Sequence, residues 1–152
     1  MSFQPNTDAG ATRLIIPSLG SVYAGLSPLV TTYMRVIAGF AFMMHGWPKI
    51  NNPMGTAGMV EMIGFYPAAF WSPLLAGTEF IGGLLLLLGL LTRPVAVAGS
   101  IVLCVTTYYH WVLKAEGYGG AETSLLWLGL MLYFVVHGGG RFSLDRLIGR
   151  QF

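Results

Sequence analysis

FWSPLLAGTEFIGGLLLLLGLL, residues Phe70–Leu91, runs directly into Thr92-Arg93-Pro94. Its length is about that of a helix crossing a bilayer. Glu79 is the one ionisable side chain in the stretch, and a carboxylate at that depth is unfavourable unless it is protonated, paired or wetted. Glu79 must therefore face other helices. At about 100° per residue, Ser72, Ala76, Gly82, Gly83 and Leu86 fall on its side. That face is mostly small, so another backbone can come close; the opposite side is leucine, suited to lipid. Whatever holds Glu79 has to come from neighbouring helices.

The rest of the chain agrees with a membrane setting. Of 152 residues, 55% are hydrophobic and 9% charged, where a soluble domain carries about a quarter charged. Long apolar runs separated by short polar ones predict an all-α, integral membrane, antiparallel four-helix bundle with short interfacial helices, in contact with the lipid bilayer. The formal charge of +2 is spread out and forms no basic face, which argues against a nucleic-acid partner. Cys104 is the only cysteine, so an intramolecular disulfide and a relay between paired cysteines are excluded. No CxxCH or CxxC marks covalent haem or an iron–sulfur centre. Nor is there a Ser/His/Asp set, an HExxH, a phosphate-cradling glycine loop or a close pair of carboxylates, which disfavours a self-contained hydrolase or kinase.

Four spans are expected, at Leu29–Lys49, Phe70–Leu91, Pro94–Leu113 and Glu122–Gly138. Thr92-Arg93 leaves only a tight turn before Pro94, so the second and third must be antiparallel. Gly117-Tyr118-Gly119-Gly120 breaks the third from the fourth, and Gly138-Gly139-Gly140 stops the chain after it. In the connection between the first two spans, Met59, Met62 and Ile63 recur at helical spacing and predict a short helix on the membrane surface. Ser143 reads as an N-cap for another, with Leu144, Leu147 and Ile148 on the membrane and Arg141 meeting anionic headgroups or a partner's acid.

The chain thus divides into an N-terminal arm (1–28), a four-span domain (29–138) and a tail (139–152). The arm shows no charged region followed by a compact apolar one, so no cleavable leader is expected there. With four spans, Arg13, Arg93, Arg141, Arg146 and Arg150 share one side, with Arg35 close to it; Lys49 and Lys114 lie on the other. The arginine-rich side is expected to be cytoplasmic, with both termini inside.

Polar residues within the spans are the candidates for function. Arg35 shares a face with Gly39, Phe42, Gly46 and Lys49, with His45 at its edge. Either Arg35 reaches down to headgroups, or it turns inward and pairs with Glu79, roughly a turn and a half higher. His45 and His110 each lie about one turn from the outer end of their helices. At one depth they can bind a quinone carbonyl, relay protons or ligate a b-type haem, or simply hydrogen-bond near headgroup water. His137, at the inner end of the fourth span, reads as a helix-end residue beside the negative dipole. Trp47, Trp71, Trp111, Trp127 and Tyr66 fall near outer helix ends, as interfacial anchors do. Met43, Met44, Met54, Met59 and Met62 crowd the same side. Thioethers with imidazole suit Cu(I), although a flexible apolar face is the commoner use of such methionines.

Several of these stretches occur together in a known family. They are Arg35-Val-Ile-Ala-Gly39 leading to His45-Gly-Trp-Pro-Lys49, then Gly64-Phe-Tyr-Pro67, Glu79-Phe-Ile-Gly-Gly83, Gly89-Leu-Leu-Thr-Arg93 and Gly138-Gly-Gly-Arg-Phe-Ser-Leu-Asp145. In order and spacing the chain resembles the DoxX family of small four-helix bacterial membrane proteins, over about Tyr33 to Leu147. The closing segment is similar to the family's GPGRYSLD, with Gly139 in place of proline and Phe142 in place of tyrosine. The resemblance implies the bacterial inner membrane and a redox context: the family takes its name from a subunit associated with a terminal quinol oxidase, and others resemble a subunit of thiosulfate:quinone oxidoreductase. Members that work through thiols are poor models for a chain with one cysteine.

Two functional readings follow. In the first, the chain is a small integral subunit of a quinone-linked oxidoreductase. Arg35, His45, Glu79 and His110 form a quinone-facing or proton-handling pocket, no cofactor is intrinsic, and the redox centres lie in other membrane or redox subunits. In the second, the small-residue groove seats a partner helix or another copy of the chain, making it a non-catalytic anchor or assembly subunit. A transporter is disfavoured by the lack of repeated halves or broken helices.

Overall fold

A computed structural model of the chain describes residues 14–150. Its elements are α1 (Leu19–Asn51), α2 (Ala57–Ile63), α3 (Ala68–Leu88), α4 (Thr92–Tyr108) continued by a π-helical turn (Tyr109–Leu113), α5 (Gly117–His137) and α6 (Leu144–Leu147). No strand occurs among the described residues. α1, α3, α4 with its π turn, and α5 are each long and apolar enough to cross a membrane. The fold is an all-α membrane bundle.

Two spans start well before their expected positions. α1 begins at Leu19 rather than Leu29. Ser27-Pro28 has the form of a helix start, yet the helix runs through Pro28, whose carbonyl accepts a 2.7 Å hydrogen bond from Thr32 Oγ1. With 33 residues, α1 is about 50 Å long, more than the hydrocarbon core requires. Its early turns leave Val22, Tyr23, Leu26 and Leu29 exposed. Arg13 and much of the arm expected at 1–28 lie outside the described residues. α5 starts at Gly117, so the glycine-rich segment read as a break forms its first turn. Trp127 consequently sits at mid-helix, not at an outer end. The third span ends in a π turn, closed by Lys114 N–H donating to the Tyr109 carbonyl at 2.9 Å.

The long helices pair as α1 with α3 and α4 with α5, each pair antiparallel. The first pair is in backbone contact. A Cβ on Gly39 would lie 2.7 Å from the Gly83 carbonyl oxygen, one on Gly46 would lie 2.7 Å from Phe80 Cα, and one on Gly83 would lie 2.8 Å from the Gly39 carbonyl oxygen. Small residues permit that approach in a membrane, where association rests on close packing. The buried face of α3 is Ala68, Ser72, Ala76, Glu79, Gly82, Gly83 and Leu86, which contains every residue expected to share the side of Glu79. Much of this small-residue face is already occupied by α1, which weighs against an open groove for a partner helix. The second pair is joined by Thr107 Oγ1 donating to Ser124 Oγ at 3.0 Å. Phe42, Leu86, Leu103, Met131 and Phe134 form the core between the pairs.

One end of the bundle is locked by polar contacts around the α3–α4 turn. Arg35, only 2% exposed, donates from Nη1 to the carbonyls of Leu86 (3.0 Å) and Leu87 (2.6 Å) and from Nη2 to the Phe142 carbonyl (2.6 Å). It thereby adds donors to the last carbonyls of α3, where a cation also suits the helix dipole. Gly89 follows at φ +71°, and a Cβ there would strike the Arg35 guanidinium. Asp145, 4% exposed, accepts from the backbone N–H groups of Leu91 (2.7 Å) and Thr92 (2.9 Å). It caps α4 from outside the helix, while its own N–H donates to the Gly89 carbonyl at 2.9 Å. Ser143 Oγ accepts from Arg146 N–H at 3.3 Å, as an N-cap does. Leu147 and Ile148 of this segment are exposed.

At the other end the two pairs are not clamped together. The 51–67 connection covers α3: Ser72 Oγ donates to the Pro53 carbonyl at 2.6 Å and lies 2.7 Å from Thr56 Oγ1. α2 rests there with Val60 buried. Behind it lies a cavity.

Candidate functional site

The cavity has a volume of about 710 Å³, within the range of small-molecule sites. Glu79 from α3, Lys49 and His45 from α1 and His110 from the π turn all line it. Three of the four expected site residues are thus brought to one cavity. The fourth, Arg35, is not: it lies at the middle of α1, in the clamp at the opposite end of the bundle.

The Arg35–Glu79 pair, one of the two alternatives for Arg35, does not form, and neither does the other: Arg35 is buried on backbone carbonyls. Glu79 Oε2 accepts from Lys49 Nζ instead. The reason is register. Gly46 packs on Phe80 and Gly39 on Leu87, so Lys49, one turn beyond Gly46, reaches Glu79. Arg35 meets the last carbonyls of α3 before it can reach a carboxylate two turns away. Pairing answers the desolvation that burial imposes on Glu79, whose side chain is 9% exposed against 23% for Lys49. The other carboxylate oxygen, Oε1, receives no hydrogen bond among the described residues.

His45 makes no hydrogen bond among the described residues; its ring meets Trp127 edge-on at 6.3 Å. His110 Nδ1 lies 2.6 Å from Glu116 Oε2, a contact close enough to be charge-assisted when the ring is protonated. Glu116 was not singled out from sequence, because six residues and a helix break separate it from His110. The π turn and the bend after it, where Glu116 N–H donates to the His110 carbonyl at 3.1 Å, bring the two together. π segments interrupt regular helices frequently at functional sites.

The remaining wall is apolar and aromatic. Trp127 stacks on Phe42 with ring centroids 5.8 Å apart, and Trp71, Leu75 and Leu103 also line the cavity. Thr106 also faces it, with its hydroxyl turned to the Val102 carbonyl at 2.9 Å. The arrangement offers a proton-bearing cation, a carboxylate and two imidazoles around a hydrophobic chamber. Among the described residues no three His, Cys, Asp or Glu side chains converge as metal ligands. Of the methionines on this side only Met59 lines the cavity, while Met44, Met54 and Met62 are exposed. His137 is apart from all this: it ends α5, stacks on Tyr133 at 4.3 Å and lies 3.0 Å from the Tyr133 carbonyl.

Comparison with known proteins agrees with this architecture. The sequence model of the DoxX family matches residues 30–111. The chain is 31% identical to the Inner membrane protein YqjF of Escherichia coli, over 77% of this chain and 90% of that one. It is 32% identical to the Bacillus subtilis protein named "Putative oxidoreductase CatD", over 78% and 86% of the two chains. To "Uncharacterized membrane protein Rv3486" of Mycobacterium tuberculosis it is 34% identical, over 78% and 80%. No solved structure matches the chain. The family match takes in α1 from Val30, α3, α4 and the histidine of the π turn, and with these relatives it establishes that the chain belongs to the DoxX family.

Proposed function

We propose that the chain is a small integral subunit of a quinone-linked oxidoreductase and that its cavity holds the quinone ring. The observation that carries this reading is the meeting of His45, Glu79, Lys49 and His110 at one hydrophobic chamber. A quinone ring is flat and apolar with two carbonyl oxygens at opposite edges. Phe42, Trp127 and Leu103 suit its faces, while imidazole and ammonium N–H groups suit the oxygens.

Oxidation of a bound quinol releases two electrons and two protons. The electrons pass to a redox centre of a partner subunit, because no side-chain pair here can carry them. The protons are taken by His45 and by His110, which can hand its proton to Glu116. Lys49 pairs with Glu79, so that a carboxylate and an ammonium group stand together beside the ring. The Bacillus subtilis relative's oxidoreductase name supports this context, and the Escherichia coli relative's name supports placement in the inner membrane. The arginines of the 93 and 141–150 segments support cytoplasmic termini.

Binding is measurable by tryptophan fluorescence, since Trp71 and Trp127 line the chamber. Titrating the purified chain with a decyl-substituted benzoquinone should give saturable quenching. His45→Ala and His110→Ala should each weaken it about tenfold, the equivalent of one hydrogen bond to a charged or strongly polar partner. Linear, non-saturating quenching that the two substitutions leave unchanged would remove the quinone reading.

A further inference from the structure

The side chains at the two seams that bound the cavity differ, and the difference bears on what enters it. It lies between the two helix pairs, which meet along two seams. The α1–α5 seam is crossed by aromatic rings: Trp127 stacks on Phe42 and meets His45, itself exposed, edge-on. Among the described residues no ring pair crosses the α3–α4 seam. There α3 and α4 are held together near their short turn, where a Cβ on Gly82 would touch Val95 at 3.5 Å. Towards the α2 end they contribute Leu74 and Thr78, and Ala98 and Ile101, to the cavity wall. Leu74 is 46% and Ile101 62% exposed, so the same side chains face both the chamber and the outer surface of the bundle. That surface belongs to two spanning helices and is therefore covered by lipid. α2, with Met59 and Ile63 on the cavity wall, covers the chamber at the remaining end.

From this we infer that the α3–α4 seam is a lateral portal through which the ligand's long apolar chain leaves the chamber for the bilayer. The inference rests on the quinone reading and specifies it: the substrate is a quinone carrying an isoprenoid or alkyl chain, drawn from the membrane and not from water. The polar groups, Lys49–Glu79, His45 and His110, hold the ring. The seam is lined by leucine, isoleucine, alanine and threonine carbon, with no charge between Leu74 and Thr78 or between Ala98 and Ile101. An apolar chain laid there loses no hydration and exchanges lipid contacts for protein contacts. A water-soluble ring without a chain gains nothing from the seam.

The test compares two ligands that share a ring, dimethoxy-methylbenzoquinone with no chain and the same ring with a decyl chain. Binding is read by tryptophan quenching of the full chain in one detergent. Ala98→Phe narrows the portal from α4, and Thr78→Phe narrows it from α3. In either variant the decyl ligand should bind about tenfold more weakly than to the original chain, because the inserted ring takes the space in which the chain packs. The chainless ring should stay within about twofold. Two independent variants keep the test decisive where one fails to fold. Equal weakening of both ligands would overturn the portal, because the substitutions would then act on the ring site. Unchanged binding of both would also overturn it, because the chain would leave elsewhere. If neither ligand binds the original chain, the quinone reading itself fails, an outcome distinct from either.

Discussion

Asp145→Ala lowers the stability of the chain in detergent by about 3–5 kcal/mol, the scale seen when one partner of a buried charge network is removed. The carboxylate is 4% exposed and accepts from Leu91 N–H and Thr92 N–H, the first free donors of α4. Nothing else among the described residues takes those two hydrogens. It also supplies the nearby negative charge that acts on the buried Arg35 guanidinium. Alanine strands two donors and leaves Arg35 with carbonyl oxygens alone. Asp145→Asn should recover part of the loss, since an amide oxygen still accepts one of the two hydrogen bonds. Unfolding in increasing dodecyl sulfate, followed by circular dichroism, measures both. A loss under about 1 kcal/mol, the level of an ordinary exposed cap, would show that the clamp is not what secures this end.

Gly46→Leu removes the folded state of the bundle, and Gly25→Leu leaves it intact. Both glycines are in α1. A side chain at Gly46 would meet the backbone of Glu79 and Phe80, with its Cβ 2.8 Å from the Glu79 carbonyl carbon; at Gly25 nothing lies within 4 Å. Backbone cannot rotate aside as a side chain can, so the whole of α1 must retreat from α3. Overpacking a core commonly costs 1–3 kcal/mol where side chains can adjust, and about 3 kcal/mol is the lower limit here. The retreat also separates Lys49 from Glu79. Helicity and monodispersity of the two variants after extraction decide the matter. A Gly46→Leu protein as stable as Gly25→Leu would mean that the two helices do not touch at this point.

Much of this was legible in the residues. One buried acid in an apolar helix, with small residues at helical spacing around it, identifies the inward face of α3 without knowledge of its neighbours. His45 and His110 declare themselves because imidazole is rare within membrane spans. The partner of Glu79 was not legible. Arg35 and Lys49 share one face of α1, so either could have met it, and only the backbone register at Gly39, Gly46 and Gly83 decides for Lys49. Trp127 was read as an interfacial anchor because the glycines at 117–120 signalled a break. Helix packing overrides that local preference, moving the residue to mid-helix and into the cavity. Asp145 looked like part of a surface helix; its role as a cap for α4 depends on a contact spanning more than fifty residues of sequence.

The clamp and the cavity divide the molecule between them. Arg35 and Asp145 fix the α3–α4 turn end, which leaves the opposite end free to hold a chamber without the bundle coming apart. Several of the stretches on which the resemblance was drawn, the Arg35 segment, Gly89–Arg93 and the segment closing at Asp145, converge on the clamp. His45–Lys49 and Glu79 converge on the chamber.

The claim on which the rest depends is that Glu79 is held by Lys49 at the chamber wall. A double-mutant cycle of Lys49→Met and Glu79→Leu, read by unfolding in dodecyl sulfate, tests it most directly. Lys49→Met should destabilise by about 3 kcal/mol, because it leaves the buried Glu79 unpaired, Glu79→Leu should cost less because Lys49 is partly exposed, and the double variant should recover at least about 1 kcal/mol of the summed loss. Strictly additive losses would contradict the account, since they would mean that the two side chains do not meet.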